Sequence, residues 1–259
     1  MKFEKLAILG GETHIKNPFN NYQSIGKEEV KAAKDVVESG VLSQFIGDWD
    51  KNFLGGPKVQ AFERMCEQYF GVKHAITLNS WTSGLVAAIG AAGIEPGDEV
   101  IVTPWTMCAS ATAIVHWAGI PVFADIDPDT FNLDPSSVTN NITPYTKAIL
   151  AVDIFGQSAD MDALRAICSK HDLKLIVDSA QSPGAFYKGT YAGTLGDVGG
   201  YSLNYHKHIH TGEGGIVVTK DQELYNLADK FIMYDRFDQK LNIGINFRMS
   251  EINALLAFA

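Results

Sequence analysis

The sequence predicts an α/β layer fold built on a central, mostly parallel seven-stranded sheet flanked by helices. Three observations carry that expectation. Seven short apolar runs recur along the chain, rich in β-branched residues and poor in polar alternation, as in strands buried on both faces. Amphipathic stretches of helical period separate most of them. A lysine and an aspartate stand just beyond two of the runs, where ligands sit in open α/β sheets.

Two helices are expected ahead of the sheet. Lys27–Ser39 places Val30, Ala33 and Val37 on one face and meets Gly40, a natural C-cap. Pro57–Phe70 has a proline near its start and an apolar stripe of Val59, Phe62, Cys66, Tyr69 and Phe70. The loop between them, 41–56, carries Phe45, Trp49 and Phe53, and either lines a site or interface or is pinned to its own core. The strands are expected at 75–78, 99–103, 121–124, 148–152, 174–177, 200–203 and Gly215–Thr219, with helices at 82–92, 109–117, 160–170 and 222–233. A last helix, 249–259, presents Met249, Ile252, Leu255 and Leu256, then stops without a cap, so the chain is expected to end inside it, its apolar partner lying elsewhere. The expected organisation is one large domain: a helical segment to residue 70, the sheet region 71–245, and from 246 the start of a helix leading toward a further, smaller domain.

Composition narrows the function classes. A length of 259 residues with 46% hydrophobic content can bury a sizeable core. The net charge of -9 argues against a general nucleic-acid surface, though not against a local basic pocket for phosphate. Cys66, Cys108 and Cys168 lack metal-like spacing and suit free thiols in a reducing compartment. The apolar run at 6–9 is too short for a signal peptide, and no run approaches the ~20 residues of a membrane span. The expectation is a soluble cytoplasmic protein.

The chemistry concentrates between Ser202 and Gly215, where Lys207 sits between a strand-like run and a glycine-rich turn. Asp178 closes the run Leu175-Ile176-Val177. A lysine and an acid at strand mouths are what pyridoxal 5'-phosphate (PLP) needs: the amine forms a Schiff base and the carboxylate holds the ring nitrogen protonated. Each residue also has a plainer reading. Lys207 could be a surface loop lysine, and Asp178 a helix N-cap ahead of Ala180 and Gln181. His206, His208 and His210 alternate as metal ligands can, but no acid or cysteine completes a set, so no metal is expected. Gln181, within a turn of Asp178, could hydrogen-bond the ring hydroxyl. Asn79-Ser80-Trp81-Thr82, between a strand and a helix start, offers hydroxyls and free backbone N–H groups to a phosphate, or is an ordinary N-cap. Trp81 stands where glycine would make an easier anion nest.

These motifs resemble the nucleotide-sugar aminotransferases of the DegT/StrS type, a fold-type-I PLP group. The matching stretches are 79–85, 96–100, 125–128, 155–157 with 160–162, 178–184, 202–215 and 244–254, and Lys207 lies 29 residues after Asp178, in register with that pattern. The resemblance implies the large domain of a fold-type-I transferase. Lys207 would carry the cofactor, Asp178 pair with its ring nitrogen, and Gln181 lie near its hydroxyl. Ser80, Thr82 and Ser202, with the backbone of Trp81, would hold its phosphate. Asn246 would reach a neighbouring subunit's phosphate, which implies a homodimer with shared sites. The ring-stacking position falls on Met107, with Trp105 two residues away. The activity implied is transfer of an amino group from glutamate or glutamine to a keto sugar, in nucleotide-linked form or as a free cyclitol ketone. A PLP-dependent sugar dehydratase, a non-catalytic binding or regulatory member, and an inactive fragment are the competing readings.

Overall fold

The structure, a computed structural model, describes residues 5–20, 23–45, 54–232 and 244–258. Trp49, Phe53 and Met233 lie outside the described residues. The seven expected strands form one sheet, in the order β1-β9-β8-β5-β4-β2-β3. They are β1 (His74–Leu78), β2 (Glu99–Val102), β3 (Ile120–Phe123), β4 (Thr146–Val152), β5 (Lys174–Asp178), β8 (Val198–Ser202) and β9 (Gly215–Thr219). Only β9 runs against its neighbours in this sheet; the β2–β3, β2–β4, β4–β5 and β5–β8 pairings are parallel. The carboxyl ends of β1, β4, β5 and β8 therefore open on one edge, where β9 begins. The short pair β6 (Phe186–Tyr187) and β7 (Thr190–Tyr191) was not foreseen.

Helices cover both faces because consecutive strand residues point to opposite sides. Ile76, Leu78, Val100, Val102, Leu150 and Val217 pack with α3 (Trp81–Ala91), α4 (Ala109–His116) and α7 (Gln222–Ile232). Ile101, Ile149, Ala151, Leu175 and Val177 pack with Leu164 and Cys168 of α6 (Met161–His171). On that second face Ala75, Tyr201, Ile216 and Val218 meet α2 (Pro57–Phe70) and α8 (Glu251–Phe258). Helix α5 (Pro135–Asn140) was not anticipated, although its start is plain: Asp134 accepts from the Ser136 and Ser137 amides, and Pro135 occupies the first turn. None of the described helices is long and apolar enough to cross a membrane.

The apolar face of α1 (Lys27–Ser39) departs from expectation. Val30 and Val37 are exposed, at 66% and 60%, whereas Val36 is buried with Ala32 and Ala33 beside it. The helix thus turns small residues toward α8, a choice its own sequence did not reveal. In α2, Tyr69 is likewise exposed while the rest of the expected stripe is buried. The apolar side of α8 is partly covered within this chain: Ala254 and Leu255 are buried against α1 and α2. Glu251, only 1% exposed, accepts from the Lys58 and Val59 amides at 2.8 and 3.0 Å. It caps α2 from 192 residues away, supplying the anion that the N-cap Gly56 lacks.

Candidate active site

The edge where the strand ends open contains a cavity of about 230 Å³. It is lined by Lys207, Asp178, Ser80, Trp81, Thr82, Met107, Gln181 and Ser202, together with His206, which the sequence raised only as a metal ligand, and Asn204 and Glu213, which it did not single out. Asn246 is not among the lining residues; its Oδ1 accepts from the Arg248 Nε at 2.9 Å. Trp105 is also outside the lining, with its ring 5.8 Å from that of Phe131, so of the two only Met107 lines the cavity.

Lys207 is half-buried in the turn that joins β8 to β9. That turn is tied together by the Asn204 amide group on Glu213, the Thr211 hydroxyl on the Glu213 carbonyl, and the Lys207 amide on the Asn204 carbonyl. Asn253 of α8 donates to the Thr211 and Glu213 carbonyls and locks the turn from outside. Burial lowers the proton affinity of the Lys207 amine below its ordinary value, opposed by the charge of Asp178. Lys207 takes part in none of the salt bridges among the described residues.

Asp178 is 4% exposed and ends β5. The N-cap reading gives way here: a turn follows, and Oδ1 accepts from the Ala180 amide at 3.2 Å. Its other partners come from distant parts of the chain. The Trp81 indole Nε1 donates to Oδ1 at 2.7 Å, and the Ser110 hydroxyl to Oδ2 at 2.8 Å. Behind it lies a second acid, Asp153, fully buried and accepting from the Ser179 hydroxyl and the Ala159 amide. Burial first, and the charge of Asp178 less strongly, push the Asp153 carboxyl up to about 6.

At the start of α3, the Ser80 hydroxyl caps the Ser83 amide at 3.1 Å, and the Gly84 amide returns to the Ser80 carbonyl. The amides of Trp81 and Thr82 are left without an intrahelical acceptor, at the positive end of the helix dipole. Close approach of β9 depends on Gly215, whose added Cβ would lie 2.6 Å from the Trp81 nitrogen. The Gln181 Oε1 accepts from the Phe155 amide at 2.9 Å, which turns its Nε2 into the free donor end.

A desolvated amine, a buried carboxylate and an anion-ready helix start, converging on one cavity, form a recognisable set. Residues 23–259 match the DegT/DnrJ/EryC1/StrS aminotransferase family. The chain belongs to that family. It is 43% identical over 206 residues to the spore coat polysaccharide biosynthesis protein SpsC of Bacillus subtilis, covering 80% of this chain and 49% of that protein. It is 36% identical over 262 residues to a putative L-glutamine:3-amino-2,3-dideoxy-scyllo-inosose aminotransferase of Micromonospora echinospora, covering 97% and 60% of the two chains. The crystal structure of 3-amino-5-hydroxybenzoic acid synthase superposes with a TM-score of 0.85 at 31% identity, over 93% of this chain and 62% of that one. The chain thus spans about half to three fifths of the length of these curated relatives.

Aminotransferases of this family depend on PLP. The side chains around the cavity fit that group by donor chemistry. An ionised carboxylate has about four lone-pair sites. Asp178 uses two on Oδ1 and one on Oδ2, so one acceptor site remains on Oδ2 for a ring N–H. The free amides at 81 and 82 and the hydroxyls of Thr82 and Ser202 suit a phosphate.

Proposed function

We propose that this chain forms the cofactor-binding part of a PLP-dependent aminotransferase, which moves an amino group from glutamate or glutamine to a keto sugar in nucleotide-linked form. The observation that carries the reading is the convergence of Lys207 and Asp178 on one cavity with Ser80, Thr82 and Ser202. Lys207 would hold the cofactor's aldehyde carbon. Asp178 would keep the proton on its ring nitrogen, and the Gln181 Nε2 would serve its ring hydroxyl. Thr82, Ser202, Ser80 and the amides of Trp81 and Thr82 would hold its phosphate, while Met107 packs against the ring. PLP bound there supplies an electron sink for the donor's α-carbon. The Lys207 Nζ then takes the proton from that α-carbon and returns it at C4′; its lowered proton affinity suits a base that must be neutral to start. Asn246 would act across a homodimer, on the phosphate of the neighbouring subunit's site.

The test is the visible spectrum of the purified chain with PLP, before and after borohydride, beside Lys207→Ala. The expected result is a visible band that borohydride abolishes as it fixes the cofactor to Lys207 and, in the unreduced protein, transfer of label from α-¹⁵N-glutamine or ¹⁵N-glutamate to a keto sugar. A folded chain with no Lys207-dependent band would refute the reading. A product that has lost water without gaining nitrogen would move the assignment to a dehydratase.

A further inference from the structure

We propose that Trp81 is a positioning residue: its indole N–H fixes the rotation of the Asp178 carboxylate, so that Oδ2 is the oxygen offered to the cofactor's ring nitrogen. This rests on the PLP reading above and concerns a residue that sequence reasoning considered only for its backbone. The indole is 5% exposed and reaches from the first turn of α3 to the end of β5, 97 residues away in sequence. An indole N–H is a donor only and, unlike a hydroxyl, cannot switch to accepting. With Ala180 it occupies Oδ1 at 2.7 and 3.2 Å, while Ser110 takes a single site on Oδ2. A half-turn of the carboxylate only exchanges two identical oxygens; what the donors set is the plane of the group, and with it the direction of the acceptor site left open. That plane is fixed only if the donors' own rings and backbones are fixed.

The surroundings of the ring supply that rigidity. A Cβ added at Gly84 would lie 2.6 Å from Trp81 Cε3, and one at Gly200 2.3 Å from Cζ3. Both positions are glycine where the indole passes, one in the helix and one in β8. The ring is therefore held in a slot between α3 and the sheet, with its only polar atom on Asp178. A tryptophan that served packing alone would need the slot but not the hydrogen bond.

The test separates the N–H from the ring. β-(3-Benzothienyl)alanine, incorporated at position 81, keeps the shape and loses the donor; Trp81→Phe is the genetic variant beside it. Affinity is measured by titration of the visible band with two probes: PLP and 1-deazapyridoxal phosphate, whose ring carries C–H in place of the nitrogen. Loss of a hydrogen bond to a charged group predicts PLP binding roughly tenfold or more weaker in the benzothienyl protein, with binding of the deaza probe unchanged. Melting curves of the unliganded proteins verify that the benzothienyl form folds. Equal weakening for both probes, or none for either, would overturn the proposal and leave Trp81 a packing residue. Absence of any Lys207-dependent band in the unsubstituted chain would instead remove the PLP reading itself, and this inference with it.

Discussion

Substituting alanine for Gly84 tests the packing around Trp81 without touching the cavity's polar groups. Two effects of opposite sign meet at that position. Gly84 lies inside α3, where alanine is favoured over glycine by about 1 kcal/mol. The new Cβ, however, would sit 2.6 Å and 2.8 Å from Trp81 Cε3 and Cζ3, and 3.1 Å from Leu78 Cδ1. The indole has little room to retreat, because Gly200 also borders it, at Cζ3 and Cη2, and Asp178 holds its nitrogen. Overpacking of a rigid core costs about 1–3 kcal/mol, so Gly84→Ala is expected to destabilise the chain by about 1 kcal/mol net. In a Trp81→Leu background the obstructing ring atoms are gone, and the same change should stabilise by about 1 kcal/mol. The coupling is then about 2 kcal/mol, well outside the error of a double-mutant cycle. Urea unfolding of the four proteins, followed by far-ultraviolet circular dichroism, measures it. If Gly84→Ala has the same effect in both backgrounds, the slot described here is not what holds the ring.

Further outcomes follow from the same geometry. Lys207 should react with acetic anhydride at lower pH than a lysine in a free peptide, read by mass spectrometry; Asp178→Asn, by removing the charge that supports its protonation, should lower that midpoint further. Asp153 binds its proton more tightly folded than unfolded, so ionising it costs stability as pH rises from 3.8 to about 6. Asp153→Asn should therefore match the parent below pH 4 and exceed it by up to about 3 kcal/mol above pH 6; parallel pH curves would contradict the assignment. Glu251→Ala leaves the Lys58 and Val59 amides uncapped and should cost about 3 kcal/mol in urea, with Glu251→Gln, which retains an acceptor, costing about 1 kcal/mol.

Much of this protein was legible in one dimension. Strand runs buried on both faces are nearly continuous apolar sequence, so all seven strands of the main sheet could be located to within a few residues. Helices α1 and α2 were bounded as they stand, with Gly40 ending the first and Pro57 starting the second; the structure adds Gly71 as the cap of α2. Lys207 and Asp178 were visible because each stands at the end of an apolar run, and the resemblance to the aminotransferase family rested on the order and spacing of seven motif stretches, theirs among them. Faces were harder: period places an apolar stripe on a helix but does not say which neighbour will take it, and α1 turned Val36 inward while Val30 and Val37 stayed out.

Tertiary structure alone decided how the site is held. The side-chain donors to Asp178 come from 97 and 68 residues away, and no local pattern records that an indole and a hydroxyl will meet one carboxylate. The same holds for Glu251 on the start of α2 and for Asn253 on the lysine turn. A hydrogen bond between distant elements depends on the register and crossing of both, which only the packed sheet and helices set. The sequence by itself pointed to the candidate groups and to the edge where most of them gather; the fold determined which atoms of those groups are left free.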